Sequence, residues 1–108
     1  MEEAEGVMER VVRNGQVAVL FSPGFGSGWY TAHYIEELLF DPSIVQWVEA
    51  GELDKIKNYM TLKYPNEYLG GLYSLTIKWI PQGTEFRISE YDGAESIKYK
   101  SKEHWITA

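Results

Sequence analysis

Val17-Ala18-Val19-Leu20-Phe21 runs straight into Ser22-Pro23-Gly24-Phe25-Gly26-Ser27-Gly28-Trp29. The five apolar residues predict a buried strand. A helical pattern starts near Thr31, so the glycines join a strand to a helix. Glycine has the most freedom to lose on folding, and it is placed where backbone needs positive φ or lies close to another group. A strand, a glycine loop and a helix together can also present backbone N–H groups to an anion. The known signatures are missed. Walker A requires a Gly-Lys-Ser/Thr ending, and this loop has no Lys. Gly24, Gly26 and Gly28 give G-x-G-x-G, whereas dinucleotide binding uses G-x-G-x-x-G.

The rest of the chain arranges itself around this junction. Ile35, Leu38 and Leu39 recur at helical spacing and predict a helix over Thr31 to Phe40. Asp41-Pro42 reads as an N-cap with Pro at the first helical position, and Gly51 as the matching C-terminal cap. Ile44, Val45 and Val48 form that helix's inner face. A third helix, from about Glu52 to Tyr64, turns Leu53, Ile56 and Met60 inward and stops at Pro65-Asn66. Tyr73 to Ile80, Thr84 to Tyr91 and Glu95 to Lys100 alternate as strands, with turns at Pro81-Gln82-Gly83 and Asp92-Gly93. His104 to Thr107 adds a short last strand. Upstream, Glu2 to Arg13 is read as a short helix. The other reading is a hairpin, in which Arg10 to Arg13 and Gln16 to Val19 flank Asn14-Gly15.

The expected fold is α+β, in the order β-α-α-α-β-β-β. A mostly antiparallel sheet of four to five strands is covered on one face by about three short helices. Leu75, Ile77, Trp79, Phe86 and Ile88 should face a layer made by Ile35, Leu38, Leu39, Ile44, Val48, Ile56 and Met60. Residues 1–108 form a single domain, with 1–14 a variable N-terminal extension.

Composition narrows the function. The 108 residues are 44% hydrophobic and 15% aromatic, which suits a folded domain with one modest core. A net charge of −6 argues against generic nucleic-acid binding, which depends on Lys and Arg at phosphates. The chain has no Cys, and its histidines are His33 and His104, so a disulfide, a thiolate site or a His-based zinc site is not expected. The acidic start and the absence of a long apolar run predict a cytoplasmic protein with no membrane role. No cofactor is expected.

Leu20 to Trp29, Glu37-Leu38-Leu39-Phe40-Asp41-Pro42, Gly83-Thr84-Glu85-Phe86-Arg87-Ile88-Ser89-Glu90-Tyr91-Asp92-Gly93 and the ending Trp105-Ile106-Thr107 carry a resemblance. Over roughly 17–107 the chain resembles a family of small, mostly uncharacterised proteins common in bacteriophage genomes. The resemblance supplies no catalytic residues. It implies a setting, the host cytoplasm. It also implies a role there, countering host defence by sequestering a nucleotide signal or by binding a defence protein.

Several clusters compete as sites. The glycine loop is either an anion nest or a tight packing turn beneath Trp29. Ser22, Ser27 and His33 lack a nucleophile elbow, so a small hydrolase is the least favoured reading. His33 and Glu37 are more simply an i,i+4 surface pair. Glu90, Asp92 and Glu95 do not have calcium-loop spacing. Lys78 and Arg87 fall on neighbouring strands of the 73–91 hairpin and offer a positive patch in an acidic protein.

The leading expectation is therefore a non-enzymatic protein that binds a small phosphorylated or nucleotide ligand. Its binding residues would be Ser22, Gly24, Phe25, Gly26, Ser27, Gly28, Trp29, Lys78 and Arg87, with no catalytic or metal-ligating residue. The alternative is an inhibitor that docks on a host defence protein through an acidic, aromatic surface. A homodimer is a further expectation.

Overall fold

The strand expected over Val17 to Phe21 is present, and Val17 to Leu20 within it are buried. The computed structural model describes residues 9–26, 28–66 and 70–100. Among them the order is β1 (Val12–Arg13), β2 (Gln16–Phe21), a 3₁₀ turn (Glu36–Leu39), α1 (Pro42–Ala50), α2 (Leu53–Lys63), a second 3₁₀ turn (Leu72–Ser74), β3 (Thr76–Pro81), β4 (Phe86–Tyr91) and β5 (Ala94–Tyr99). All pairings are antiparallel. The class is α+β, as expected.

The strand grouping differs from expectation. β1, β2 and β3 form one sheet in that order, whereas β4 and β5 form a separate two-stranded ribbon. β3 and β4 follow each other in sequence but do not pair. Instead the ribbon folds over the back of the first sheet. The pleat of β2 explains why this is stable. Ala18 and Leu20 point to a core shared with Trp29, Leu38, Ile44, Val45, Ile56 and Met60. Val17 and Val19 point the other way, to Leu39, Phe40 and Ile80, with Phe86, Ile88 and Ile97 of the ribbon packed on them. A single sheet with one helical layer would have left Val17 and Val19 in water.

The expected helix-facing set is corrected accordingly. Leu75, Ile77 and Trp79 do pack on the helical side. Phe86, Ile88 and Leu39 belong to the opposite core.

Among the described residues there are two α-helices, where three were expected. α1 forms where its caps predicted. The Asp41 carboxylate accepts from the Ser43 and Ile44 N–H groups at 2.9 and 3.3 Å, and Pro42 stands at the start. Gly51 closes the helix with a left-handed φ of 72°. α2 buries Ile56 and Met60.

The helix expected over Thr31 to Phe40 is replaced by a turn and the 3₁₀ segment Glu36–Leu39. Tyr34 takes a positive φ of 56° and Ile35 is extended, so the backbone cannot continue as a helix. The short segment sends Leu38 into one core and Leu39 into the other.

The N-terminal helix is also corrected where the chain is described. Val12 and Arg13 are a strand, paired with Val17 and Gln16 across Asn14-Gly15. Both turn residues have positive φ, 52° and 76°, as a type I′ turn requires. Asp92 and Gly93 repeat the device between β4 and β5. The last strand expected over 104–107 lies outside the described residues.

Candidate functional site

The glycine loop does bind an anion, and the anion is the chain's own Glu95. Its residue is 2% exposed. The carboxylate oxygen Oε1 accepts the Ser22 N–H at 2.9 Å. Oε2 accepts the Tyr30 and Thr31 N–H groups, both at 2.7 Å, and the Thr31 hydroxyl at 2.9 Å. Four donors from the two ends of the loop thus converge on one side chain from β5. Such charge-assisted bonds are stronger than neutral ones, and they offset the cost of burying the charge.

The loop is closed by further bonds. Trp29 N–H donates to Ser22 Oγ at 2.9 Å, and Trp29 Nε1–H to the Leu38 carbonyl at 2.7 Å. Gly26 N–H donates to the Asp92 carbonyl at 2.9 Å, and Gly24 N–H to Ser74 Oγ at 3.3 Å.

The glycines answer to these close approaches. A Cβ on Gly28 would stand 2.6 Å from Glu95 Oε2 and still closer to Thr31 Oγ1. A Cβ on Gly24 would meet Ser74 at 2.9 Å. Gly26 has open space around it but a φ of 112°, which only glycine adopts freely.

The sequence-derived site residues therefore divide. Ser22, Gly28 and Trp29 are buried in the loop's own hydrogen-bond network. Gly24 is half-buried, Phe25 and Gly26 are exposed, and Ser27 lies outside the described residues. Lys78 and Arg87 are both exposed, but they stand on different sheets, Lys78 opposite Val19 in the first and Arg87 opposite Lys98 in the ribbon. The shared positive patch expected on one hairpin is corrected by this grouping. Ser22 Oγ is buried and bonded to Trp29 N–H, so it is closed to substrate as a nucleophile. Glu90 accepts the Gly93 N–H at 2.8 Å while Glu95 faces inward, so these carboxylates do not converge with Asp92 on a cation.

Arg87 instead opens onto a groove of about 510 Å³ between the ribbon and the segment that follows the loop. Arg10 lines the same groove, with its guanidinium 4.4 Å from the centre of the Phe40 ring. Aromatic rings form much of the wall. Tyr30 and Tyr34 meet edge to face at 5.4 Å, and Phe40 and Phe86 at 6.4 Å. Glu36 and Glu85 also line it. Glu85 is held by Lys100 at 3.0 Å. Among the described residues neither Arg10 nor Arg87 makes an ion pair. Burial first, and then the nearby Glu36 carboxylate, push the Tyr30 phenol above its ordinary value, so it remains a hydrogen-bond donor at neutral pH.

The loop and the groove are one construction. Glu95 grips the Tyr30 and Thr31 amides, and Tyr30 is a wall of the groove. Sequence reading singled out Arg87, which lines the groove, and took the loop amides as donors to an external anion, whereas here they hold Glu95. It missed Glu95, which looked like one of three turn carboxylates, and Arg10, which fell in the segment read as an extension. Neither had a local signal, because both act across long sequence separations.

No protein-family model, curated protein or solved structure matches this chain.

Proposed function

We propose that the protein is a non-enzymatic binder of a small anionic ligand of the phosphorylated or nucleotide type, held in the groove beside the glycine loop. One observation carries the reading. Two arginines without ion pairs among the described residues open onto an aromatic-walled cavity of ligand size in a chain of net charge −6. The guanidinium groups would take the phosphate by paired N–H donors, and an aromatic face would take the planar part. The glycine loop contributes by mounting Tyr30, since its converging amides already hold Glu95. With the resemblance to phage proteins, the reading extends to sequestering a nucleotide signal of host defence in the host cytoplasm.

The test is a thermal-shift series over mono-, di- and cyclic nucleotides with wild type and Arg87→Gln. A ligand at a hundred times its dissociation constant stabilises the fold by about 2.7 kcal/mol. The shift should shrink in Arg87→Gln and with added salt. No shift with any phosphorylated compound would overturn the reading.

A second reading rests on a separate feature. Phe25, Tyr73 and Tyr91 are 79%, 84% and 74% exposed. Their neighbours Gly26 and Asp92, and Gly24 and Ser74, are hydrogen-bonded, which brings all three aromatic positions around the loop. Large exposed aromatics on a fixed platform suit a protein interface. In that reading the protein docks on a host defence protein, and Phe25→Ser with Tyr91→Ser would abolish the complex while leaving nucleotide shifts intact.

A further inference from the structure

We infer that the ligand of this groove is a purine nucleotide whose base is read by the main chain of β4, through the Phe86 carbonyl and the Ile88 N–H. This rests on the groove reading above and goes further, by naming the part of the protein that selects the base.

The ladder of the ribbon fixes where the β4 main chain points. Lys100 N–H donates to the Glu85 carbonyl at 3.0 Å, in the same register that pairs Phe86 with Tyr99 and Tyr91 with Ala94. Hydrogen-bonded pairs alternate along an antiparallel ladder. Glu85, Arg87, Ser89 and Tyr91 therefore turn their main-chain groups toward β5, and Phe86 and Ile88 turn theirs away. β5 keeps the same alternation. Glu95, opposite Glu90, sends its N–H out of the ribbon to the Ser22 carbonyl at 2.8 Å. Among the described residues β5 is the only strand paired with β4, and no hydrogen bond reaches the outward main-chain groups of Phe86 and Ile88.

That outward edge borders the groove. Thr84, Glu85, Phe86, Arg87 and Ile88 are consecutive and all line it, whereas no β5 residue does. Successive strand residues point to opposite faces, so one face would contribute only alternate residues. An unbroken run shows that the strand meets the groove along its edge. The Phe86 and Ile88 side chains pack on the core, so the edge itself is main chain.

A purine supplies what this edge lacks. Adenine carries an N6–H donor beside the N1 acceptor, and guanine an N1–H donor beside O6. An outward carbonyl and the next outward N–H along a strand offer the complement, an acceptor and then a donor. Polar groups that lose water without a partner are costly on both sides, so each edge satisfies the other. Tyr30, Tyr34 and Phe40 line the same groove and offer ring faces to the base, and its volume of about 510 Å³ admits the larger, two-ring bases. Arg87 lies between the two reading residues, so one strand carries both the base contacts and a phosphate contact.

The experiment is calorimetric titration of the full chain with AMP, GMP, N6,N6-dimethyl-AMP, N1-methyl-GMP and ribose 5-phosphate, together with amide hydrogen exchange followed by NMR. AMP or GMP should bind, and its methylated form and ribose 5-phosphate should bind about tenfold or more weakly. In the free protein the Phe86 and Ile88 amides should exchange faster than those of Arg87 and Ser89, and the bound nucleotide should slow Ile88. Equal affinity of parent and methylated nucleotide, or an Ile88 amide that the nucleotide does not slow, would overturn the main-chain reading and leave the groove reading standing. So would failure of AMP and GMP alike with another phosphorylated compound bound. Failure of every phosphorylated compound would overturn both readings.

Discussion

Glu95 and Ser22 are joined twice. Ser22 N–H donates to Glu95 Oε1 at 2.9 Å, and Glu95 N–H donates to the Ser22 carbonyl at 2.8 Å. One bond is a side-chain cap and the other extends the ribbon onto the end of β2. The loop therefore takes its shape from a residue 73 positions away in the chain.

Removing the carboxylate should unfold the loop from the ribbon. Glu95→Ala leaves the Ser22, Tyr30 and Thr31 N–H groups without their acceptor. Each such group, when buried, costs about 1–3 kcal/mol. We expect a loss of about 3 kcal/mol or more in urea denaturation. Glu95→Gln should be milder, because one oxygen is retained. A loss under about 1 kcal/mol for Glu95→Ala would mean that water satisfies the loop as well as the carboxylate does.

The glycines should separate by cause. Gly28→Ala places a Cβ against Glu95 and Thr31 and should cost about 1–3 kcal/mol through overpacking. Gly26→Ala meets no atom within 4 Å, so its cost, also on the order of 1–3 kcal/mol, is conformational. The discriminating measurement is a double mutant. With Glu95 already truncated, Gly28→Ala should cost less than it does alone, whereas Gly26→Ala should cost the same. Additive losses at Gly28 would place the steric cost on Thr31 and not on Glu95.

These relationships show where the sequence was readable. Local signals were reliable. Asp41-Pro42 and Gly51 placed α1, Asp92-Gly93 placed a turn, Val17 to Phe21 reads as a buried strand, and Asn14-Gly15 signalled the hairpin that stood second to a helix. What failed was non-local. The alternation in β4 shows an apolar face but not which layer it covers, so the ribbon was joined to β3. The apolar spacing of Ile35, Leu38 and Leu39 was genuine. It arises here because the segment crosses the edge between two cores, and the Tyr34 backbone breaks the helix. The glycines signalled converging backbone donors, but nothing local told that Glu95 would fill them.

Asp41 offers a test of the helical side. It caps α1 and also accepts the Tyr59 hydroxyl at 2.6 Å, with Lys63 Nζ at 3.7 Å. Asp41→Ala should lower stability by about 2 kcal/mol, combining a lost cap with the loss of the Tyr59 hydroxyl's acceptor. Asp41→Asn keeps a capping oxygen and should recover more than half of the loss. Equal melting temperatures for the Ala and Asn variants would show that the cap contributes little.

The same corner should contribute to a loss of stability at alkaline pH. Burial pushes the Tyr59 phenol up, and its hydrogen bond to Asp41 adds to this, against an opposing contribution from Lys63. Burial likewise raises Tyr30 and Tyr64. Lys63 is raised chiefly by its hydrogen bond to Tyr59. A phenol whose folded pKa lies above its unfolded value binds its proton more firmly when folded. Its contribution is complete below the unfolded value, about 10, and is lost as pH rises from there through the folded value. A raised Lys follows the same sign, since its proton is also held more firmly in the folded state. The melting temperature should therefore hold to about pH 9 and decline above about pH 10. In Tyr59→Phe the decline should be shallower, because one titrating phenol and the bond it makes to Lys63 are both gone. A melting temperature that rises through this range, or an unchanged slope in Tyr59→Phe, would contradict the assignment.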